Sequence, residues 1–144
     1  MQGKIPLGAD ATGLPTCMIV EDDSAVMRTL QLILGGRCLG PSAFAAVGDV
    51  VEACEALAPD ILFLDLALPS FDAIDVIRAL GHRGYRGAIL LASGLHALLH
   101  QVTRVGERHG LVMLPPLAKP FRAQQIEQIL RDFAARPPKP AAAA

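Results

Sequence analysis

The stretch Leu62-Phe63-Leu64-Asp65-Leu66-Ala67-Leu68-Pro69-Ser70-Phe71-Asp72-Ala73-Ile74-Asp75-Val76-Ile77 decides the fold. A short apolar run over residues 61–64 ends on the carboxylate of Asp65. A turn containing Pro69 follows, Asp72 stands where a helix wants its N-cap, and apolar residues then recur every three or four positions. The order is strand, turn, helix, with a polar residue at the carboxyl end of the strand.

Outward from this unit the same alternation repeats. Short apolar, β-rich runs at residues 16–20, 42–45, 61–64, 88–92 and 111–114 read as strands, and periodic segments at 25–34, 48–57, 72–80, 95–109 and 122–135 read as helices. Ser24 stands at a cap position before the first helix, and Gly35-Gly36 ends it with residues that tolerate a left-handed conformation. Five strands alternating with five helices predict an α/β fold, a doubly wound five-stranded parallel sheet. Pro41, at the start of the weakest strand, suits an edge, because proline has no N–H for a sheet ladder. The strand order 2-1-3-4-5 of the flavodoxin-like arrangement gathers ligands at the carboxyl ends of the strands, near the switch between the first and third.

Size and charge narrow the function classes. With 144 residues and 52% hydrophobic composition, the chain suits one continuous core. Its residues divide into a flexible leader (1–14), one domain (15–135) and a Pro/Ala-rich tail (136–144). A formal net charge of −1 gives no general attraction to nucleic acid or to an anionic membrane. Cys17, Cys38 and Cys54 are widely spaced, with no CxxC pair, which fits a reducing cytoplasm. The most apolar stretch, residues 88–99, is about a third shorter than the roughly 18 residues of a membrane span. No signal-peptide core precedes it.

Four strands converge on polar residues: Glu21-Asp22-Asp23 after the first, Asp65 after the third, Ser93 after the fourth, and Lys119-Pro120 after the fifth. Several carboxylates at one sheet edge repel each other by roughly 3–4 kcal/mol per close pair at an effective dielectric near 20. A cation relieves that repulsion. Oxygen ligands in a partly open site suit Mg²⁺, which keeps several coordination positions for water or phosphate. A nearby serine and lysine suit an incoming anion.

These residues resemble the response-regulator receiver family of two-component signalling. Its pattern is an acidic pair after strand one, a phosphorylated Asp after strand three, Ser/Thr after strand four and Lys-Pro after strand five. The resemblance spans residues 16–133 and is densest from Leu62 to Ile77. It implies that Asp65 accepts a phosphoryl group and that Asp22 and Asp65 bind Mg²⁺ directly. It further implies that Glu21 binds the metal through water, that the Ala67 backbone carbonyl completes the protein contacts, and that Ser93 and Lys119 bind phosphoryl oxygens. Asp23 is expected to be solvated or to cap the first helix. In this family the Lys-Pro bond is typically cis. The resemblance also implies a histidine kinase or histidine phosphotransfer protein as donor, a downstream protein as receiver of the signal, a possible homodimer, a cytoplasmic setting, and no direct contact with nucleic acid or membrane.

The sequence departs from the family at informative places. Ser70 and Ala73 replace common glycines. Three residues before Lys119, where receivers carry a switching aromatic ring, stands Pro116, preceded by Pro115. The segment from Gly110 to Phe121 is similar to receivers found with cyclic-di-GMP phosphodiesterase domains, although the sequence contains no such output domain. Three other functions compete, and a flavodoxin-like nucleotide-binding module is set aside because Glu21-Asp22-Asp23 would repel its phosphate. A haloacid-dehalogenase-type phosphatase also phosphorylates an Asp, but it needs an acid two positions on, where this chain has Ala67. A receiver that is never phosphorylated and serves only for docking is the third. His96 and His100 stand four apart but lack the glutamate of HExxH, so they read as solvent-facing beside a buried stripe of Leu95, Leu98, Leu99, Val102 and Val105.

Overall fold

The computed structural model describes residues 14–41 and 43–135. The expected tail, residues 1–13 of the expected leader, and Ser42 lie outside the described residues. Leu14, at the end of that leader, packs against the core.

The chain runs β1 (Cys17–Val20), α1 (Ser24–Leu34), a short 3-10 turn (Gly35–Arg37), β2 (Cys38–Leu39), α2 (Val47–Leu57), β3 (Ile61–Asp65), α3 (Ala73–Arg83), β4 (Ala88–Ser93), α4 (His96–Arg108), β5 (Val112–Met113), β6 (Leu117–Ala118) and α5 (Ala123–Ala135). All strand pairings are parallel, in the order β2-β1-β3-β4-β5, with β6 also on β4. This is the five-strand path that the sequence predicts, with its fifth strand in two pieces.

Every residue of β1, β3 and β4 is buried, as in parallel strands covered on both faces. Their side chains alternate between two clusters. Met18, Val20, Leu62, Leu64, Ile89 and Leu91 meet buried residues of α2, α3 and α4. Cys17, Ile19, Ile61, Phe63, Leu90 and Ala92 meet α1 and α5 through Met27, Leu30, Leu34, Ile126, Leu130 and Phe133. The period of two along each strand thus distributes one continuous apolar run over two helical layers. At the amino ends of β1 and β3 a reciprocal clasp sets their register. Thr16 N–H donates to Asp60 Oδ2 at 2.9 Å, and Asp60 N–H donates to Thr16 Oγ1 at 3.0 Å.

Four local expectations are corrected. The second strand lies at Cys38–Leu39 rather than 42–45, since one 3-10 turn after Gly35 already returns the chain to β1. Pro41, lacking a donor, follows this strand instead of starting it. Residues 43–46 run as loop into α2, although the expected edge position of β2 is found. The cap of α1 is Asp23, whose carboxylate accepts from Ala25 N–H at 2.8 Å and Val26 N–H at 3.3 Å, and Ser24 is the first helical residue. Leu95 is 64% exposed rather than part of the buried stripe, because α4 starts one residue later. Finally, the fifth strand, expected over residues 111–114, is regular only at Val112–Met113, and after Pro115 and Pro116, which offer no N–H to β4, the chain pairs with β4 again at Leu117–Ala118.

Candidate functional site

The site stands at the carboxyl ends of β1, β3 and β4, where the fold leaves polar residues beside an apolar sheet. Val20 pairs with Leu64 and Asp65 with Ala92, so Glu21, Asp65 and Ser93 emerge at one level from adjacent strands. β6 brings in the fourth element, because Ser93 pairs with Ala118 and the Lys119 N–H donates to the Ser93 carbonyl at 2.9 Å. The Lys119-Pro120 peptide bond is cis, as the resemblance implies.

The Lys119 ammonium lies 2.8 Å from Glu21 Oε1 and 3.1 Å from Asp65 Oδ2. The other oxygen of each acid is held by backbone. Glu21 Oε2 accepts from the Asp22 and Asp23 N–H groups, both at 3.1 Å, and Asp65 Oδ1 accepts from Ala67 N–H at 3.0 Å. Glu21 and Asp65 are buried, whereas Asp22 is exposed. Burial pushes the Glu21 carboxyl up to about 7, and the hydrogen bond it shares with Asp65 pushes the same way, while the Lys119 ammonium opposes both. Burial alone would lower the Lys119 pKa, but its two carboxylate partners outweigh that and hold it above the ordinary lysine value.

Ligand oxygens of Glu21, Asp22 and Asp65 all lie within 4.8 Å of one another. Buried Glu21 Oε1 takes no hydrogen bond from the backbone among the described residues, and the Lys119 ammonium lies against it. An all-oxygen donor set, open on the Asp22 side and with an under-satisfied buried oxygen, fits a hard divalent cation.

The expected residues divide accordingly. Glu21, Asp22, Asp65 and Lys119 converge, Ser93 is buried at the adjoining strand end, and Ala67 touches Asp65 through its amide. The Ser93 hydroxyl accepts from Leu95 N–H at 3.0 Å, at the entry to α4. Pro116 sits in the break between β5 and β6. His96 and His100 are exposed, and Asp23 is exposed and engaged as a cap. Sequence reasoning missed the wall of the site. Ala43 and Phe44, with Met27, Arg28 and the turn 68–71, enclose about 500 Å³ beside Glu21 and Asp22. Assigning residues 42–45 to a strand hid this; a lone Phe among small residues was the available signal.

Comparison with known proteins agrees with this architecture. The family model for the response regulator receiver domain matches residues 17–131. The cell cycle response regulator CtrA of Brucella ovis is 25% identical over 114 residues, covering 79% of this chain and 49% of CtrA. The chain therefore spans about half the length of the curated relatives it matches. A response regulator from Colwellia psychrerythraea superposes with a TM-score of 0.67 at 25% identity, covering 84% of this chain and 97% of that one. The BeF3-activated N-terminal receiver domain of Klebsiella pneumoniae RstA shares the fold, with a TM-score of 0.63 at 21% identity and coverage of 84% and 99%.

A parallel sheet of this order, with its acids and lysine at the switch point, defines a receiver-type signalling domain. The chain belongs to the response regulator receiver domain family of two-component signalling. Among the described residues, no helix is long and apolar enough to cross a membrane.

Proposed function

We propose that this chain is a phosphorylation-dependent switch in which Asp65 takes a phosphoryl group from a phosphohistidine on a histidine kinase or phosphotransfer protein. The observation that carries the proposal is the position of Asp65: a buried carboxylate fixed by Ala67 N–H, paired with Lys119 and grouped with two further acids. An Asp65 oxygen bonds to phosphorus as the phosphorus–nitrogen bond of the donor breaks, and the histidine keeps the electron pair. Lys119, already 3.1 Å from Asp65, balances charge on the transferred group, and the Ser93 hydroxyl accepts the role of second phosphoryl ligand.

Asp22 and Asp65, the Ala67 carbonyl and, through water, Glu21 would hold Mg²⁺. When bound, this ion neutralises charge on phosphoryl oxygens. The partners that follow are the phosphodonor protein, a downstream protein that reads the altered surface, and a second copy in a homodimer; the setting is cytoplasmic. The domain promotes only its own phosphorylation and dephosphorylation. Without a rotatable ring at Pro116, the change at Ser93 passes instead through its bond to Leu95 N–H into α4.

Incubation with acetyl phosphate and Mg²⁺, followed by intact-mass measurement, tests the central step. One added phosphoryl group is expected on the wild-type chain and none on Asp65→Asn. An adduct that persists in the variant refutes the assignment. A wild-type chain that never gains an adduct from acetyl phosphate or a phosphohistidine donor favours docking without phosphorylation.

A further inference from the structure

Cys17 and Cys38 are register partners across β1 and β2. Neighbouring strands lie about 4.8 Å apart, and a disulfide accepts Cα separations of roughly 4.4–6.8 Å. In a parallel pair, partners in register project from the same face, and both residues belong to the cluster under α1 and α5. The two thiols are free, Cys17 buried and Cys38 half-buried. Cys38 stands on a two-residue edge strand that pairs only with β1 among the described residues, so it is the thiol a reagent reaches. Cys17 lies behind it. Cys54 belongs to the other cluster, across the sheet.

We propose that Cys17 and Cys38 form an oxidisable pair, closed to an intrachain disulfide by exchange with a low-molecular-weight disulfide of the glutathione class. The Cys38 thiolate attacks one sulfur of the reagent, a mixed disulfide forms, and one reagent thiolate leaves. The Cys17 thiolate then attacks Cys38 Sγ and expels the second. Two protons pass from the cysteines to the leaving thiolates, and two electrons reduce the reagent. Burial raises the pKa of both thiols, so thiolate is scarce at neutral pH and exchange is slow. The pair therefore responds to sustained oxidising conditions rather than to a brief pulse.

The bond joins two parts of the molecule that matter to the acidic site. β1 leads directly into Glu21 and Asp22. β2 leads into the loop that places Ala43 and Phe44 on the cavity wall beside those acids. Closing the pair encloses the whole of α1 in a covalent loop and fixes the edge strand to the strand carrying the acids. Reduction returns that edge to its hydrogen bonds alone.

The full native chain, incubated with excess oxidised glutathione, alkylated and weighed intact, provides the test. The expected product has lost two hydrogens, and protease mapping joins Cys17 to Cys38. The same product is expected in Cys54→Ala, and its melting midpoint should rise by more than about 5 °C over the reduced form. In Cys38→Ser the loss of two hydrogens should disappear. A stable glutathione adduct on Cys38, a Cys38–Cys38 dimer, a link through Cys54, or no reaction over days would each overturn the proposal. Mapping on the wild-type chain keeps the test independent of how well any variant folds.

Discussion

If Asp65 is phosphorylated as proposed, Ala67 is the side chain that would set how long the phosphoryl group stays. Its amide holds Asp65 while its exposed methyl offers no group that could orient a water toward a phosphoaspartate. Slow loss of phosphate is expected, and Ala67→Asn should accelerate it severalfold in a decay measured by intact mass; a wild-type adduct gone within seconds contradicts this. The acids and Lys119 were legible as residues, because each follows an apolar run and the runs share a period. Their division of labour was not. Asp23 takes one of its two expected places, the cap of α1, but the burial of Glu21 beside an exposed Asp22 and the bridge of Lys119 between Glu21 and Asp65 depend on turn geometry after the strands.

At the scale of elements, α1 is held by its buried Met27, Leu30 and Leu34 and by a cap at its amino end. No acidic residue lies in its first turn, so the Asp23 carboxylate is the negative group that meets its amino end. Asp23→Ala should cost about 1 kcal/mol in chemical denaturation and still leave Asp65 able to accept a phosphoryl group. Loss of the adduct together with an unchanged fold would place Asp23 in the site instead. The five long helices and the three central strands were readable because burial on a fixed period leaves a mark in the sequence. β2, β5 and β6 have two residues each, too few to carry a period. Their positions come from partners elsewhere in the chain: Cys17 and Met18 for β2, and Ala88, Ile89, Ala92 and Ser93 for β5 and β6. The Pro115-Pro116 pair was read as the loss of a switching ring, and it also separates the expected strand from a second piece on β4, Leu117–Ala118, that the sequence reading did not include.

For the whole molecule, stability is linked to the site and to the core by different solution variables. If Mg²⁺ binds only the folded chain, a hundredfold excess over its dissociation constant should add about 2.7 kcal/mol, and Asp22→Asn should blunt the gain. A wild-type melting midpoint unmoved by Mg²⁺ on the order of tens of millimolar would count against the shared acidic site. High pH acts on the core. Burial, with a smaller contribution from Glu55, raises the Cys54 thiol from 9.0 to about 12, and burial raises Cys17 as well. Below pH 9 both thiols are protonated folded or unfolded, and stability is insensitive to them. Above it the unfolded chain releases protons that the fold retains, so stability should fall by up to about 1.4 kcal/mol per pH unit for each thiol. Denaturation at pH 8 and pH 10 measures the slope, which Cys54→Ala should reduce; equal stability at both values would refute it. The broken fifth strand has a last consequence. An open sheet invites polymerisation wherever a border presents a long row of free amides and carbonyls to another chain. Here one border is two residues long and is followed by Pro41, and the other is interrupted by two consecutive prolines, so neither gives an incoming strand a continuous template. The sheet is thereby kept from recruiting further copies of the chain through its backbone, which leaves side chains as the only way one molecule can hold another.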